Sequence, residues 1–277
     1  MEIRIARYAG VCYGVERALK LAQHATEGTD NVHSFGPLIH NPQAVASLAE
    51  QGVQVAETID EVADGTLIIR SHGVAPDVIE QANERGLTVL DATCPHVSKA
   101  QESAEKLAEG GYLVIIVGEA DHPEVSAIRA RGGEGVVVVQ SAAELPLRLG
   151  SKMVGVVVQT TQIGDVLDEV VADLLPRVSE LRVFNTICDA TSKRQAAAAD
   201  LAGEVDVMVV VGGHNSGNTS RLTQICRQVN VHTHHVETYQ ELDAQWFEKA
   251  QTVGVTAGAS TPGEQIAGVV QRIEAMG

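Results

Sequence analysis

Aromatic residues are scarce in this chain: one Trp, four Tyr and three Phe make up 3% of 277 residues. That scarcity removes the stacking platforms on which single-stranded nucleic acids are read. Basic residues are also few, 20 against 36 acidic ones, for a formal net charge of −16. Such a balance argues against the clustered Lys and Arg that a phosphate backbone demands. Apolar runs are short. The Val-rich stretches at 136–139 and 207–211 fall far below the ~20 residues of a membrane span. The opening Met1-Glu2-Ile3-Arg4-Ile5 lacks the apolar region of a signal peptide. Cysteine occurs only four times, too sparsely for a secreted disulfide scaffold of this length. The expectation is a cytoplasmic protein with neither nucleic acid nor membrane as partner, its acidity serving solubility.

What the chain does contain is repetition. Three short strand-like segments, 3–6, 87–90 and 181–184, each run into a cysteine: Cys12, Cys94 and Cys188. Each cysteine precedes a helical pattern, at 15–25, 97–109 and 191–203. A second strand and a Gly-bearing polar loop follow, at 36–42, 118–124 and 212–218. His40, His122 and Ser216 lie the same 28 residues beyond their cysteines and so occupy equivalent places. A third strand comes near 53–55, 136–139 and 231–236, then a short helical turn. A fourth strand ends in the polar turns that hold His72, Thr160 and Ser260. The helices after those turns start around Pro76, Asp165 and Pro262, all suitable first-turn residues.

Strands alternating with helices imply parallel sheets covered on both faces. The predicted fold is α/β: three similar small units with mostly parallel sheets in a pseudo-threefold arrangement. They span 14–95, 96–190 and 191–277, the last completed by the strand in 1–13. Ligand sites in open α/β sheets form beyond the carboxyl ends of the strands. Cys12, Cys94, Cys188, His40, His72, His122, Thr160, Ser216 and Ser260 all lie at such ends. A threefold arrangement would gather the cysteine loops on its axis, ringed by the polar turns.

Three thiols meeting there leave more than one chemistry open. They could hold an iron–sulfur cluster with one iron lacking a protein ligand, or a zinc ion completed by His or water. They could also be buried thiols in a cofactor-free protein that binds a phosphorylated metabolite. Cys226 breaks the repeat and sits inside a predicted helix at 218–229, as a core residue would. His24, His33, His96, His232, His234 and His235 read as surface or internally satisfied side chains, whereas the repeat places His40, His72 and His122 in ligand-facing loops. The Gly-Asn-Ser-Thr loop around Ser216 opens a helix and suits phosphate oxygens, though it lacks the Gly-Lys-Ser/Thr ending of a P-loop.

Eight motifs then carry a resemblance. They are Gly10-Val11-Cys12-Tyr13-Gly14-Val15, Gly36-Pro37-Leu38-Ile39-His40-Asn41, Arg70-Ser71-His72-Gly73, Asp91-Ala92-Thr93-Cys94-Pro95, His122-Pro123-Glu124, Gln159-Thr160-Thr161, Asn185-Thr186-Ile187-Cys188 and Asn215-Ser216-Gly217-Asn218. In this order, along nearly the whole chain, they resemble the family of 4-hydroxy-3-methylbut-2-enyl diphosphate reductases, which close the methylerythritol phosphate route to isoprenoids. The resemblance implies one 4Fe–4S cluster per chain on Cys12, Cys94 and Cys188, at the centre of the pseudo-threefold, with a fourth iron open to the substrate hydroxyl. It implies that His40, His72, His122, Ser216, Gly217, Asn218 and Ser260 bind the diphosphate. Thr160 would lie beside the substrate, and Glu124, with His122 and Thr160, would serve the proton chemistry. Ferredoxin or flavodoxin would supply two electrons, and the products would be isopentenyl and dimethylallyl diphosphates plus water. Two positions depart from the pattern. Gly217 stands where many members carry a second serine, and His214 where a lysine is common.

Overall fold

In the computed structural model, which describes residues 1–27 and 31–277, strand and helix alternate except where short 3₁₀ turns join β3 to β4, β7 to β8 and β11 to β12. The first stretch runs β1 (Glu2–Ile5), α1 (Tyr13–Ala25), β2 (Val32–Phe35), α2 (Pro42–Glu50), β3 (Val53–Ala56), β4 (Thr66–Ile69), α3 (Pro76–Glu84) and β5 (Thr88–Asp91). The second runs α4 (Pro95–Glu109), β6 (Leu113–Val117), α5 (Pro123–Arg131), β7 (Val137–Val139), β8 (Met153–Val158), α6 (Gly164–Leu174) and β9 (Glu180–Phe184). The third runs α7 (Asp189–Ala202), β10 (Val207–Val211), α8 (Gly217–Val229), β11 (Thr233–Val236), β12 (Thr252–Ala257) and α9 (Gly263–Glu274).

The strands form three four-stranded sheets of one topology: β3-β2-β4-β5, β7-β6-β8-β9 and β11-β10-β12-β1. Every pairing is parallel. In each sheet the edge strand beside the fourth strand is the one that leads into a cysteine. In the last sheet that edge is β1, with Ile3 opposite Val253 and Ile5 opposite Val255.

Burial follows from the covering helices. The central strands Thr66–Ile69 and Val207–Val211 are buried along their whole length, because both faces of a parallel sheet are roofed. Side chains alternate across the sheet with period two. Val207, Val209 and Val211 therefore pack with Ile266, Val269 and Ile273 of α9. Met208 and Val210 point the other way, onto Ala198, Leu201 and Ala202 of α7 and Leu222 of α8. In the middle repeat, Ile115 and Val117 join Leu167, Val170 and Leu174 of α6, while Val114 and Ile116 face Ala104 and Leu107 of α4.

The chain divides into two compact units. One comprises Met1–Glu16, His40–Ala46 and Asp189–Gly277, and holds the β1-containing sheet. The other comprises Arg17–Ile39 and Ser47–Cys188, and holds the remaining two sheets, with α3 packed on α5.

Two expectations shift in detail. The helices after the cysteines start two residues earlier than their apolar spacing suggests, at Tyr13, Pro95 and Asp189. Residues of a first turn need not face the core, so periodicity does not mark them; Pro95 fits there because the first helical N–H has no partner to lose. Pro262 precedes α9 as its N-cap instead of lying inside it. Among the described residues no helix is long and apolar enough to cross a membrane.

Candidate active site

Each of the three repeat-equivalent cysteines stands directly before a helix, at Tyr13, Pro95 or Asp189. All three are half-buried and free of disulfides. Their backbone amides are tethered alike. Cys12 N–H donates to the Ala259 carbonyl at 3.0 Å, Cys94 N–H to Ser71 at 3.0 Å, and Cys188 N–H to Thr160 at 3.0 Å. In each case the acceptor lies in the polar turn after a fourth strand, so the parallel pairing of fourth strand and edge strand fixes the cysteine loop. Helix N-termini favour a thiolate, and a thiolate is a soft donor of the kind that suits iron–sulfur or zinc. Cys226 differs. It is fully buried among Ala198, Leu201 and Leu222, and burial pushes its thiol up to about 12.

In the unit that carries Cys94 and Cys188, Glu124 is buried at 1% exposure on the first turn of α5. Its carboxylate accepts the Thr160 N–H at 2.6 Å on Oε1 and meets the Thr160 hydroxyl at 2.9 Å through Oε2. Glu124 and the turn before Cys188 are thus joined through one residue. The Glu124 N–H donates to Nδ1 of His122, the N-cap of the same helix, at 3.1 Å. An accepting Nδ1 assigns the remaining ring proton of a neutral imidazole to Nε2. His72 meets this ring edge-on, with centroids 5.5 Å apart.

In the other unit, Ser216 caps α8, its hydroxyl oxygen accepting the Thr219 N–H at 3.3 Å. Gly217 and Asn218 form the first turn, where backbone N–H groups lack helical partners. The Asn218 side-chain nitrogen is buried, with no hydrogen-bond partner among the described residues. A buried amide donor of this kind at a helix N-terminus is what an anion would satisfy. Ser260 donates to the His40 carbonyl at 2.9 Å, which brings these two predicted contacts together. The loop can sit this low because Gly212 and Gly258 flank Thr219; a Cβ on Gly212 would lie 2.8 Å from the Thr219 hydroxyl.

Sequence reading gave no hint of Glu237, at the end of β11. Its Oε1 accepts from Gln43 at 2.9 Å, its Oε2 accepts the His214 N–H at 3.1 Å, and its carbonyl accepts from Gln265. Gln265 in turn accepts from Asn41, the neighbour of His40, at 3.0 Å. Glu237 therefore ties the Ser216 loop to the His40 segment. No local pattern marks such a residue, because its partners are about 22–30 and nearly 200 positions away. His214 pairs with Glu241 at 2.8 Å, and His235 bonds the Gly212 carbonyl at 2.9 Å.

The family model described as LytB protein matches residues 3–274 of this sequence. The chain belongs to the LytB family. Two relatives, both named 4-hydroxy-3-methylbut-2-enyl diphosphate reductase, illustrate the likeness. The protein of Geobacter metallireducens is 49% identical over 273 residues, 99% of this chain and 97% of its own. That of Geobacter sulfurreducens is 49% identical over 274 residues, again 99% and 97%. A solved structure of (E)-4-hydroxy-3-methyl-but-2-enyl diphosphate reductase, described as the terminal enzyme of the non-mevalonate pathway, is 44% identical. It covers 99% of each chain with a TM-score of 0.73. The Plasmodium falciparum E-1-hydroxy-2-methyl-but-2-enyl-4-diphosphate reductase is 26% identical, with a TM-score of 0.91 over 98% of this chain and 87% of its own. The LytB fold thus accounts for the three parallel α/β sheets.

Proposed function

We propose that this LytB-family chain is a 4-hydroxy-3-methylbut-2-enyl diphosphate reductase. In the overall reaction the allylic hydroxyl leaves as water while two electrons and two protons are consumed, giving isopentenyl and dimethylallyl diphosphates. The observation that carries the reading is the acid pair: a carboxylate at 1% exposure, locked by both donors of Thr160, whose carbonyl in turn tethers Cys188.

Cys12, Cys94 and Cys188 would hold a 4Fe–4S cluster with one iron open. When bound, the cluster supplies the electrons, passed on by a ferredoxin or flavodoxin, and a Lewis acid for the departing hydroxyl. The rest is done by the chain itself. The Thr160 N–H can only donate, so Glu124 Oε1 stays unprotonated and a proton on the acid resides on Oε2. Oε2 faces the Thr160 hydroxyl, which can donate or accept and so can hand that proton toward a leaving hydroxyl. Nε2 of His122, with His72 beside it, would offer donors to diphosphate oxygens. Ser216, the Gly217 and Asn218 N–H groups, the Asn218 amide, Ser260 and His40 offer the remainder. At Gly217 a side-chain hydroxyl donor is lost and only the backbone N–H remains.

Anaerobic iron and sulfide analysis coupled to turnover of the hydroxylated diphosphate tests the reading. About four irons per chain with matching sulfide, absorption near 400 nm and release of both products are expected. A colourless protein with one zinc, or a loaded cluster without turnover of this substrate, would overturn it.

A further inference from the structure

Two arginines repeat one geometry around the cysteine loops. Arg17 lies five residues after Cys12, on α1, and Arg194 six residues after Cys188, on α7. Side chains on a helix lean toward its N-terminus, so a long one in the second turn reaches back past the helix start. Arg17 donates to the Thr93 carbonyl at 3.1 Å and the Asp91 carbonyl at 3.2 Å, immediately before Cys94. Arg194 donates to the Tyr8 carbonyl at 2.9 Å and the Gly10 carbonyl at 2.8 Å, immediately before Cys12. The helix after Cys12 thus clamps the loop before Cys94, and the helix after Cys188 clamps the loop before Cys12.

The clamped loops need holding. Tyr8, at φ 69°, is the only described non-glycine residue with positive φ, and Gly10 follows at φ 93°. A non-glycine residue stays in that region only where its surroundings over-determine it. Here two carbonyls of one turn are gripped by the fork of a guanidinium that is 4% exposed. A lysine could not reproduce this grip, because a single ammonium has no planar fork.

We infer that Arg17 and Arg194 are positioning residues for the metal-ligating cysteines, Arg17 setting the loop of Cys94 and Arg194 that of Cys12. Each also places a fixed positive charge within a few residues of a cysteine sulfur. The inference rests on the cluster reading for its function, but the geometry can be tested without metal. In the full-length, metal-free chain under reducing, anaerobic conditions, alkylation of each cysteine is followed by mass spectrometry. Arg194→Met is expected to raise the rate at Cys12 several-fold with little change at Cys94, and Arg17→Met to do the reverse. Cys226, fully buried, reports unfolding: if it reacts, Arg194→Lys and Arg17→Lys decide by the same pattern. In reconstituted protein the Met variants should lose iron to a chelator several-fold faster and show a more negative cluster potential. The Lys variants should lose iron faster while keeping the potential. Equal alkylation of Cys12 and Cys94 in both variants, or wild-type iron retention and potential, would overturn the inference. A wild-type chain that takes up no cluster would instead sink the functional reading and leave the alkylation test standing.

Discussion

At the scale of the residue, the proposed chemistry concentrates on Glu124. Glu124→Gln preserves shape but removes the acid, and its amide would place an NH₂ against the Thr160 N–H or hydroxyl. Iron content and diphosphate affinity should be unchanged while turnover falls about 10²–10⁴-fold, the range of a lost general acid. Steady-state kinetics beside an iron assay on the same preparation checks this, and a wild-type rate would remove Glu124 from the mechanism. Cys226 gives the opposite expectation. Cys226→Ser should leave iron stoichiometry unaltered, whereas Cys12→Ser, Cys94→Ser and Cys188→Ser should each deplete it. The distinction was readable from the repeat, because Cys226 has no counterpart at the same offset. Glu124 became more than a motif residue only through the Thr160 contact, 36 positions away.

At the scale of the element, strand β10 and helix α8 flank the Ser216 loop, the proposed anion site. Ser216→Ala removes the N-cap of α8 and should cost about 1 kcal/mol of stability. If Ser216 also touches diphosphate, KM rises beyond what that loss explains, and denaturation and kinetics together separate the two effects. Gly212→Ala drives a methyl against Thr219 and Thr261 and should destabilise by about 1–3 kcal/mol, as overpacking does. On β11, burial holds His234 and His235 below their ordinary value of 6.5, in His235 against the raising effect of its bond to Gly212. His214 and Arg227 act in the same sense on His235, and Glu241 opposes them. The unfolded chain then binds protons that the folded one refuses, so stability is fully present above 6.5 and drops as pH falls toward the folded value. Denaturant titrations between about pH 5 and 8 should show this slope, reduced in His235→Gln. A flat profile in the wild type would contradict it.

At the scale of the whole molecule, a cluster of the proposed kind, binding the folded chain and not the unfolded one, would stabilise the folded state by mass action. Anaerobically reconstituted protein should melt above the iron-free chain, and oxidative cluster loss should erase the gain; thermal denaturation with matched iron analysis measures both. The three sheets share one strand order because each repeat places its cysteine-bearing strand beside its fourth strand. The predicted closure of the last sheet by the N-terminal strand is seen as the β1–β12 pairing. What the repeat did not convey is that the sheets group as two compact units, two in one and one in the other.

The sequence by itself determined the alternation of strand and helix, the parallel pairing and the equivalence of Cys12, Cys94 and Cys188. Those properties follow from local periodicity and from spacing along the chain, both of which survive when the chain is written as a line. Only the tertiary structure decided which donors meet which acceptors: Thr160 on Glu124, Arg194 on the Tyr8 turn, Glu237 between the Ser216 loop and Gln43. Hydrogen bonds depend on distance and angle between groups far apart in the chain, and no periodic pattern encodes them.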